Sequence, residues 1–198
     1  GGGSDPDTEW AHHPQHRAGG DVTAVAQQRD SSRHCSSRGR SCGGDGGGGG
    51  AAGIGPTPGP LGQGIGNRVG MAMAATWLGA RYTRPGHDLF GFRVYALCSD
   101  GDMMEGVGCE AASIAGHLKL NNLVWIYDDN TITIEGHTEL SFSENVPLKF
   151  QGLGWNTLTV TDANDLAAIQ KALDAAQKSE DKPTLIVRKR HHGWGSPP

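Results

Sequence analysis

The chain has 198 residues, a formal net charge of −4 and 17 basic against 21 acidic side chains. This size allows one ordinary domain, and the near-balanced charge provides no basic surface for nucleic acid. Apolar runs of only about five residues are far shorter than the roughly 20 that a membrane span requires, and no secretory signal pattern opens the chain. Four cysteines are too few for a disulfide scaffold. We therefore expect a protein of the reducing cytoplasm that binds neither nucleic acid nor membrane.

Glycine is unusually frequent, at 32 of 198 residues, and its distribution divides the chain near Gly59. Residues 1–58 contain few large apolar side chains and an uninterrupted glycine run at 46–50. Such a segment cannot bury enough apolar surface to offset its ordering entropy. Its histidines and cysteines match no zinc-binding spacing. The sequence predicts a low-complexity, disordered tail over 1–58 and a folded domain over 59–198.

From Gly59 onward, helical and strand patterns alternate. Apolar residues spaced by about four predict a first helix over 65–80 whose core face carries Ile65, Val69, Met73 and Trp77. The same periodicities predict the remaining elements in chain order: a strand at 93–98, a helix at 104–118, strands at 123–127 and 157–160, a helix at 166–176 capped by Asn164 or Asp162, and a strand at 184–187. Alternating strands and helices predict an α/β fold, a doubly wound parallel sheet with helices on both faces.

Polar residues follow two of the predicted strands where each strand ends. Asp100 and Gly101 follow the first strand, and Asp128, Asp129 and Asn130 follow the next one along the chain. Ligands of parallel sheets bind beyond the carboxyl ends of the strands, so Asp100 and Asn130 are expected at one edge. A carboxylate, an amide oxygen and a backbone carbonyl form a hard oxygen site suited to Mg²⁺ or Ca²⁺. A divalent cation beside the free N–H groups of a helix start suits a diphosphate.

The folded half of the chain carries five runs that resemble those of the transketolase family, in order and at compatible spacing. They are Gly59-Pro60-Leu61-Gly62-Gln63-Gly64, Asp100-Gly101-x3-Glu105-Gly106, Ala115-Gly116-His117-Leu118, Ile126-Tyr127-Asp128-Asp129-Asn130-x-Ile132-x-Ile134-x-Gly136-His137-Thr138 and Gly193-Trp194-Gly195-Ser196-Pro197. The resemblance is near-continuous over 59–198 and absent before it. It implies the thiamine diphosphate-binding fold, here the domain that binds the diphosphate of the cofactor.

The resemblance also implies roles for individual residues. Asp100, Asn130 and the backbone carbonyl of Ile132 are expected to hold the metal, which is Mg²⁺ or alternatively Ca²⁺ or Mn²⁺. Residues expected to contact thiamine diphosphate are Gly59, Leu61, Ser99, Asp100, Gly101, Asp128, Asn130 and His192. Glu105 is expected at a dimer interface, where it couples two active sites, and no residue of the chain is assigned as certainly catalytic.

The chain departs from the family pattern at several places. Ser99 stands where the family motif usually opens with glycine, and His192 stands where an apolar residue usually packs against the cofactor. The histidine-bearing segments that should precede Gly59 are not recognisable, and the second domain with its activating glutamate is missing. These departures predict a fragment that is inactive by itself.

The function implied is the transfer of a two-carbon ketol unit from a ketose phosphate to an aldose phosphate by a transketolase. Its partners would be sugar phosphates, and either a second copy in a full-length homodimer or a separate chain carrying the pyrimidine domain. Two alternatives stay open. One is a related ketol transferase such as a dihydroxyacetone synthase. The other is a non-catalytic cofactor-binding or assembly subunit, or a remnant, that needs a separate pyrimidine-domain chain.

Overall fold

The computed structural model describes residues 24–27, 61–133 and 136–190. Within these residues the strands are β1 (Ala24–Gln27), β2 (Val94–Ser99), β3 (Leu123–Asp129), β4 (Ile132–Thr133), β5 (Gly136–His137), β6 (Asn156–Val160) and β7 (Thr184–Lys189). The helices are α1 (Gln63–Tyr82), α2 (Asp100–Met104), α3 (Gly106–His117), α4 (Val146–Gly152) and α5 (Leu166–Gln177), with one 3₁₀ turn at Thr138–Leu140. None of the described helices is both long enough and apolar enough to cross a membrane.

Five strands form one parallel sheet in the order β1-β2-β3-β7-β6. The side chains of each strand alternate between two faces, and different helices cover the two faces. Trp125 and Tyr127 of β3 belong to the larger core, which also takes in residues of α1, α3 and α4. Val124 and Ile126 lie on the opposite face, against α5. The predicted doubly wound α/β fold with helices on both faces is therefore confirmed.

The first strand lies inside the range for which the sequence predicts a disordered tail. Residues Ala24–Gln27 pair in parallel with the edge of β2, in a register that sets Ala24 opposite Val94. For these four residues the tail prediction is wrong, because backbone pairing to a sheet edge needs no large apolar side chain. The rest of residues 1–58 lies outside the described residues, so the remainder of that prediction stays untested.

The core face of α1 differs from the predicted one. Ile65 and Val69 are buried as expected, but Met73 and Trp77 are 40% and 53% exposed, and Ala72 and other small residues are buried instead. A helix advances about 100° per residue, so a row of residues spaced by four drifts about 40° at each step. By its third and fourth members, the predicted row has turned away from the sheet.

The predicted helix over 104–118 corresponds to α3, and the extended backbone of Glu105 (φ −79°, ψ 132°) separates it from α2, a short helix that was not predicted. Ser99 and Asp102 form a capping box, in which each side chain bonds the backbone of the other. This box starts the helical structure directly at the end of β2. A helix of five residues is too short to show the periodicity by which the longer helices were predicted.

Two further local predictions need correction. The cap of α5 is Asp165, whose Oδ1 accepts a 2.9 Å hydrogen bond from the Ala168 amide, and not Asn164 or Asp162. Helix α4 was not predicted, because seven residues give too few turns to show a pattern. It packs Phe150 against a ring cluster on the larger core face.

Candidate functional site

The carboxyl ends of β2 and β3 bring together the two polar segments singled out in the sequence. The register of the two strands sets Ser99 opposite Asp128, so the chain leaves both strands at the same level. Asp100 is 2% exposed, and the backbone amide of Asn130 donates a hydrogen bond to Asp100 Oδ2 at 3.4 Å. The convergence of Asp100 and Asn130 at one sheet edge thus agrees with the strand-end argument, while their roles as ligands stay predictions.

The Asp100 carboxylate also accepts a hydrogen bond on its other oxygen. The hydroxyl of Tyr127, a residue of β3, lies 2.5 Å from Asp100 Oδ1. Burial raises the pKa of Asp100, and the nearby carboxylates of Asp129 and Asp128 act in the same direction. The hydrogen bonds from Tyr127 and Asn130 oppose this rise in pKa, because they favour the ionised form. Burial also raises the pKa of Tyr127, and its bond to Asp100 adds to that rise, so the phenol stays a donor.

Asn130 and Ile132 are joined by a tight turn. Thr131 has a positive φ of 60°, and the Ile132 amide donates to Asn130 Oδ1 at 2.9 Å. The turn fixes the side chain of Asn130 by bonding it to the backbone two residues later, as asparagine often does in turns. The three predicted metal ligands therefore lie on two short segments that meet at Asp100.

Asp102, in α2, connects the end of β2 to a distant part of the chain. It is fully buried, and its Oδ2 accepts hydrogen bonds from the Ser99 amide at 2.9 Å and the Ser99 hydroxyl at 3.0 Å. Its Oδ1 accepts a 2.8 Å hydrogen bond from the amide of Gly62. The hydroxyl of Ser99, the residue that departs from the family pattern, is thus hydrogen-bonded to Asp102 within the chain.

Leu61 and Gly101, both predicted to contact the cofactor, lie against each other. A Cβ built on Gly101 would lie 3.2 Å from Leu61 Cδ1, which is a close contact. Gly62 has φ +75°, a conformation that glycine adopts without strain, and a Cβ there would lie 2.7 Å from Glu105 Cβ. The segment at 61–62 therefore packs against α2 and against Glu105, which follows it.

Asp128 lies beside two arginine side chains, one near the end of β7 and one just after it. Arg190 Nη2 lies 2.9 Å from Asp128 Oδ2, and Arg188 Nη1 lies 3.9 Å from Asp128 Oδ1. Asp128 alternates along β3 with Tyr127 and Asp129, so its side chain starts from the other face of the sheet. The predicted role of Asp128 beside the cofactor stays a prediction, and the two arginines are partners that sequence reasoning did not assign to it.

A cavity of about 490 Å³ opens beside Asp100. Tyr127, Asp129, Phe142 and Lys189 are among the residues that line it together with Asp100. Burial raises the pKa of Asp129, and the positive charge of Lys189 opposes the rise. Sequence reasoning missed Tyr127 and Lys189 as members of the site. The alternation of β3 and β7 was the available signal, since it puts Tyr127 and Asp129 on one face.

Other predicted site residues are not placed in the site by the structure. Gly59 and His192 lie outside the described residues. Glu105 separates α2 from α3, and its expected role at an interface between two subunits stays a prediction.

The residues present fit a hard divalent cation. The described part of the chain holds no group of three or more His, Cys, Asp and Glu side chains placed to bind a metal. The candidate donors are instead one carboxylate, one amide oxygen and one backbone carbonyl, and an all-oxygen set of this kind suits Mg²⁺, Ca²⁺ or Mn²⁺. The carboxylate in this set is that of Asp100, which is buried, and burial raises its pKa. A bound cation would favour the ionised form and oppose that rise in pKa.

Comparison with known proteins gives the family of the chain as a whole, and not the role of any single residue. The family model of the transketolase thiamine diphosphate-binding domain matches residues 26–198. The chain belongs to the transketolase family. The match begins at residue 26, inside the predicted tail, and the position at which the domain starts stays a prediction.

Individual transketolases are similar to this chain over 73% of its length. The transketolase of Geobacillus stearothermophilus is 51% identical over 145 residues, which are 73% of this chain and 22% of that protein. Transketolase 1 of Saccharomyces cerevisiae is likewise 51% identical over 145 residues, 73% of this chain and 21% of that protein. A structure of Pichia stipitis transketolase in complex with sedoheptulose-7-phosphate matches with a TM-score of 0.67 and 44% identity, covering 70% of this chain and 21% of that chain. The chain thus spans about a fifth of the length of these transketolases.

Proposed function

We propose that this chain binds thiamine diphosphate together with a divalent cation, Mg²⁺ in the first place. It does so as the diphosphate-binding domain of an enzyme that transfers a two-carbon ketol unit from a ketose phosphate to an aldose phosphate. The observation that carries the proposal is the meeting of Asp100 and Asn130 at the ends of two adjacent parallel strands, with a hydrogen bond between them. Membership of the transketolase family supports the choice of cofactor.

The residues divide the binding work by their chemistry. Asp100, Asn130 and the Ile132 carbonyl would hold the cation, which would in turn neutralise a diphosphate. Gly101 has no side chain, so a phosphate can approach its backbone closely. Leu61 offers an apolar side chain, 44% exposed, next to Gly101. When bound, thiamine diphosphate supplies the nucleophilic carbon and the electron sink for breaking and forming the carbon–carbon bond, while the protein orients it.

The relatives support the proposed substrates, and exposed apolar residues of this chain support the proposed partners. Structures of Pichia stipitis transketolase contain fructose-6-phosphate or sedoheptulose-7-phosphate, which supports sugar phosphates as substrates of the whole enzyme. Met73, Trp77, Val107 and Ile114 are exposed apolar residues on α1 and α3. Their exposure supports a contact with a second copy or with a separate chain that carries a pyrimidine domain. The cytoplasm is the proposed location.

Cofactor binding is tested by thermal denaturation of the 198-residue chain. Mg²⁺ and thiamine diphosphate together should raise the Tm, because a ligand at 100 times its Kd stabilises the native state by about 2.7 kcal/mol. EDTA should remove the shift. Asp100→Ala should also remove it, whereas Asp174→Ala, on the exposed side of α5 where Asp174 bonds Gln170, should keep it. An equal shift in wild type and Asp100→Ala would contradict the metal site.

The division of labour is tested by activity. With a ketose phosphate and an aldose phosphate, the isolated chain should bind the cofactor without transferring ketol units. Addition of a chain that carries a pyrimidine domain should produce transfer if the two assemble. Turnover by the isolated chain would show that it contains more of the catalytic machinery than is proposed here.

A further inference from the structure

We infer that Tyr127 is a positioning residue of the cation site, whose hydroxyl holds the Asp100 carboxylate in the orientation that presents it to the cation. The inference rests on the proposed function, because it concerns the same site. It adds a residue to which neither the strand-end pattern nor the family resemblance assigns a role.

Tyr127 and Asp100 form a buried, hydrogen-bonded pair. Tyr127 lies in the last part of β3 and is 4% exposed, and Asp100 follows β2 directly and is 2% exposed. Ser99 lies opposite Asp128 in the register of the two strands. Asp100 is the neighbour of Ser99 and Tyr127 the neighbour of Asp128, so the strand pairing holds the two side chains close together. The 2.5 Å distance between the Tyr127 hydroxyl and Asp100 Oδ1 is that of a short hydrogen bond to a charged acceptor.

The hydrogen bond from Tyr127 determines the rotation of the Asp100 carboxylate. The Asp100 carboxylate accepts one other described hydrogen bond, from the backbone amide of Asn130 to Oδ2 at 3.4 Å. This bond is long and therefore weak. An ionised carboxylate has about four acceptor positions, so two stay open when Tyr127 and Asn130 occupy one each. The strong bond at Oδ1 therefore fixes the plane of the group and with it the direction of the open positions.

The donor, the hydroxyl of Tyr127, is held rigidly. The side chain of Tyr127 belongs to the larger core, which also takes in residues of α1, α3 and α4, and β3 is the central strand of the sheet. A buried aromatic ring has little rotational freedom, so its hydroxyl stays at one place. Partners that hydrogen-bond metal-ligating side chains from such rigid positions commonly set the affinity of a site.

A purely structural reading of the same bond makes a different prediction. A buried tyrosine hydroxyl needs a partner, and Asp100 would then serve Tyr127 rather than the reverse. In that case removal of the hydroxyl would alter the stability of the fold but not the affinity for the cation. Cation affinity, measured separately from stability, distinguishes the two.

The test uses Tyr127→Phe in the 198-residue chain, with Mn²⁺ as the probe and thiamine diphosphate in excess. Free Mn²⁺ is counted by its electron paramagnetic resonance signal, which gives the Kd without any enzymatic activity. Tyr95→Phe is the matched control, since Tyr95 is a buried tyrosine of β2 on the other face whose hydroxyl lies 3.5 Å from Gln177 Nε2.

We expect Tyr127→Phe to weaken Mn²⁺ binding about 10- to 100-fold, the usual effect of removing a partner of a metal ligand, and Tyr95→Phe to leave it unchanged. Equal Kd values for wild type and Tyr127→Phe would overturn the inference while leaving the proposed function intact. Absence of Mn²⁺ binding by the wild type would overturn both.

A second measurement keeps the inference testable if Tyr127→Phe does not fold. The chain contains three tyrosines, so wild-type protein labelled with ¹³C at the tyrosine ζ carbon gives few signals. Tyr95→Phe assigns one of them, and Tyr82→Phe, at an exposed position, assigns another. Addition of Mg²⁺ with thiamine diphosphate should move the signal of Tyr127 more than that of Tyr95. An unmoved Tyr127 signal at saturating Mg²⁺ would overturn the inference.

Discussion

The amide of Gly62 donates a 2.8 Å hydrogen bond to the buried carboxylate of Asp102, across a separation of 40 residues in the chain. The same carboxylate accepts two bonds from Ser99, at the end of β2. One side chain therefore fixes the segment that carries Leu61 to the junction of β2 and α2, where Asp100 and Gly101 lie. The two segments proposed to contact the cofactor are placed relative to each other by a residue that was not predicted to belong to the site.

Replacement of Asp102 by asparagine should lower the free energy of unfolding by about 1–3 kcal/mol. The new amide nitrogen would face N–H donors, and at least one donor would lose its partner in a fully buried place. Urea denaturation measures the change. The affinity for thiamine diphosphate should fall as well, because the segment of Leu61 would no longer be held.

Ser99→Ala is the graded control for this prediction. It removes the hydroxyl bond to Asp102 but leaves the two amide bonds in place, so a loss of about 1 kcal/mol is expected. A loss in Ser99→Ala as large as that in Asp102→Asn would show that Asp102 does not connect the two segments.

Asp100→Asn should raise the Tm of the cation-free chain at pH 7. Burial raises the pKa of Asp100, so the folded state favours the protonated carboxyl. That contribution to stability is fully present below the unfolded-state pKa of about 3.9 and is lost as the pH rises through the higher folded-state pKa. Asparagine avoids the loss. The gain over wild type should therefore disappear when the Tm is measured in EDTA near pH 4. An equal difference in Tm at both pH values would contradict the raised pKa.

Gly116→Ala should destabilise the chain by about 1–3 kcal/mol or more, since it forces extra volume into a closed contact. A Cβ on Gly116 would lie 1.8 Å from the carbonyl oxygen of Leu153, where α3 meets the end of α4. Gly70→Ala is the matched control, because the described structure has nothing within 4 Å of its Cβ position in α1. It should stabilise the helix by about 0.5–1 kcal/mol. Chemical denaturation of both variants checks the opposite signs, and destabilisation of both to a similar extent would refute the packing argument.

Cys98 should resist alkylation in the folded chain, while Cys109 reacts. Burial raises the pKa of the Cys98 thiol well above its ordinary value, so little of the reactive thiolate forms. Cys109 is only partly buried. With iodoacetamide at about pH 8, Cys98 should be modified at least about tenfold more slowly, as measured by peptide mass spectrometry, and the difference should vanish in urea. Equal rates in the folded chain would mean that β2 opens readily.

The parts of the fold that were predictable are those that depend on local periodicity. The strands β2, β3, β6 and β7 have continuous apolar or β-branched runs, and their ends were placed to within two residues. The convergence of Asp100 and Asn130 was predictable for the same reason, because parallel strands end at one edge.

Contacts between distant segments were not predictable. Nothing in the sequence indicates that Asp102 accepts a hydrogen bond from the backbone amide of Gly62, since this bond depends on how the start of α1 packs against α2. Tyr127 reads as an ordinary core residue of a strand until its hydroxyl is seen beside Asp100. The exposure of Met73 and Trp77 depends on where α1 contacts the sheet, which the spacing of apolar residues alone does not determine.

The order of the strands has a consequence for how the chain acquires its structure. β7, the final described strand, lies between β3 and β6, and it pairs Val124 of β3 with Thr184 across a long stretch of chain. During synthesis, β3 and β6 must therefore wait with unpaired edges until residues 184–189 have left the ribosome. Unpaired apolar edges pair readily with other chains, so nascent chains of this protein are most prone to aggregate just before β7 emerges.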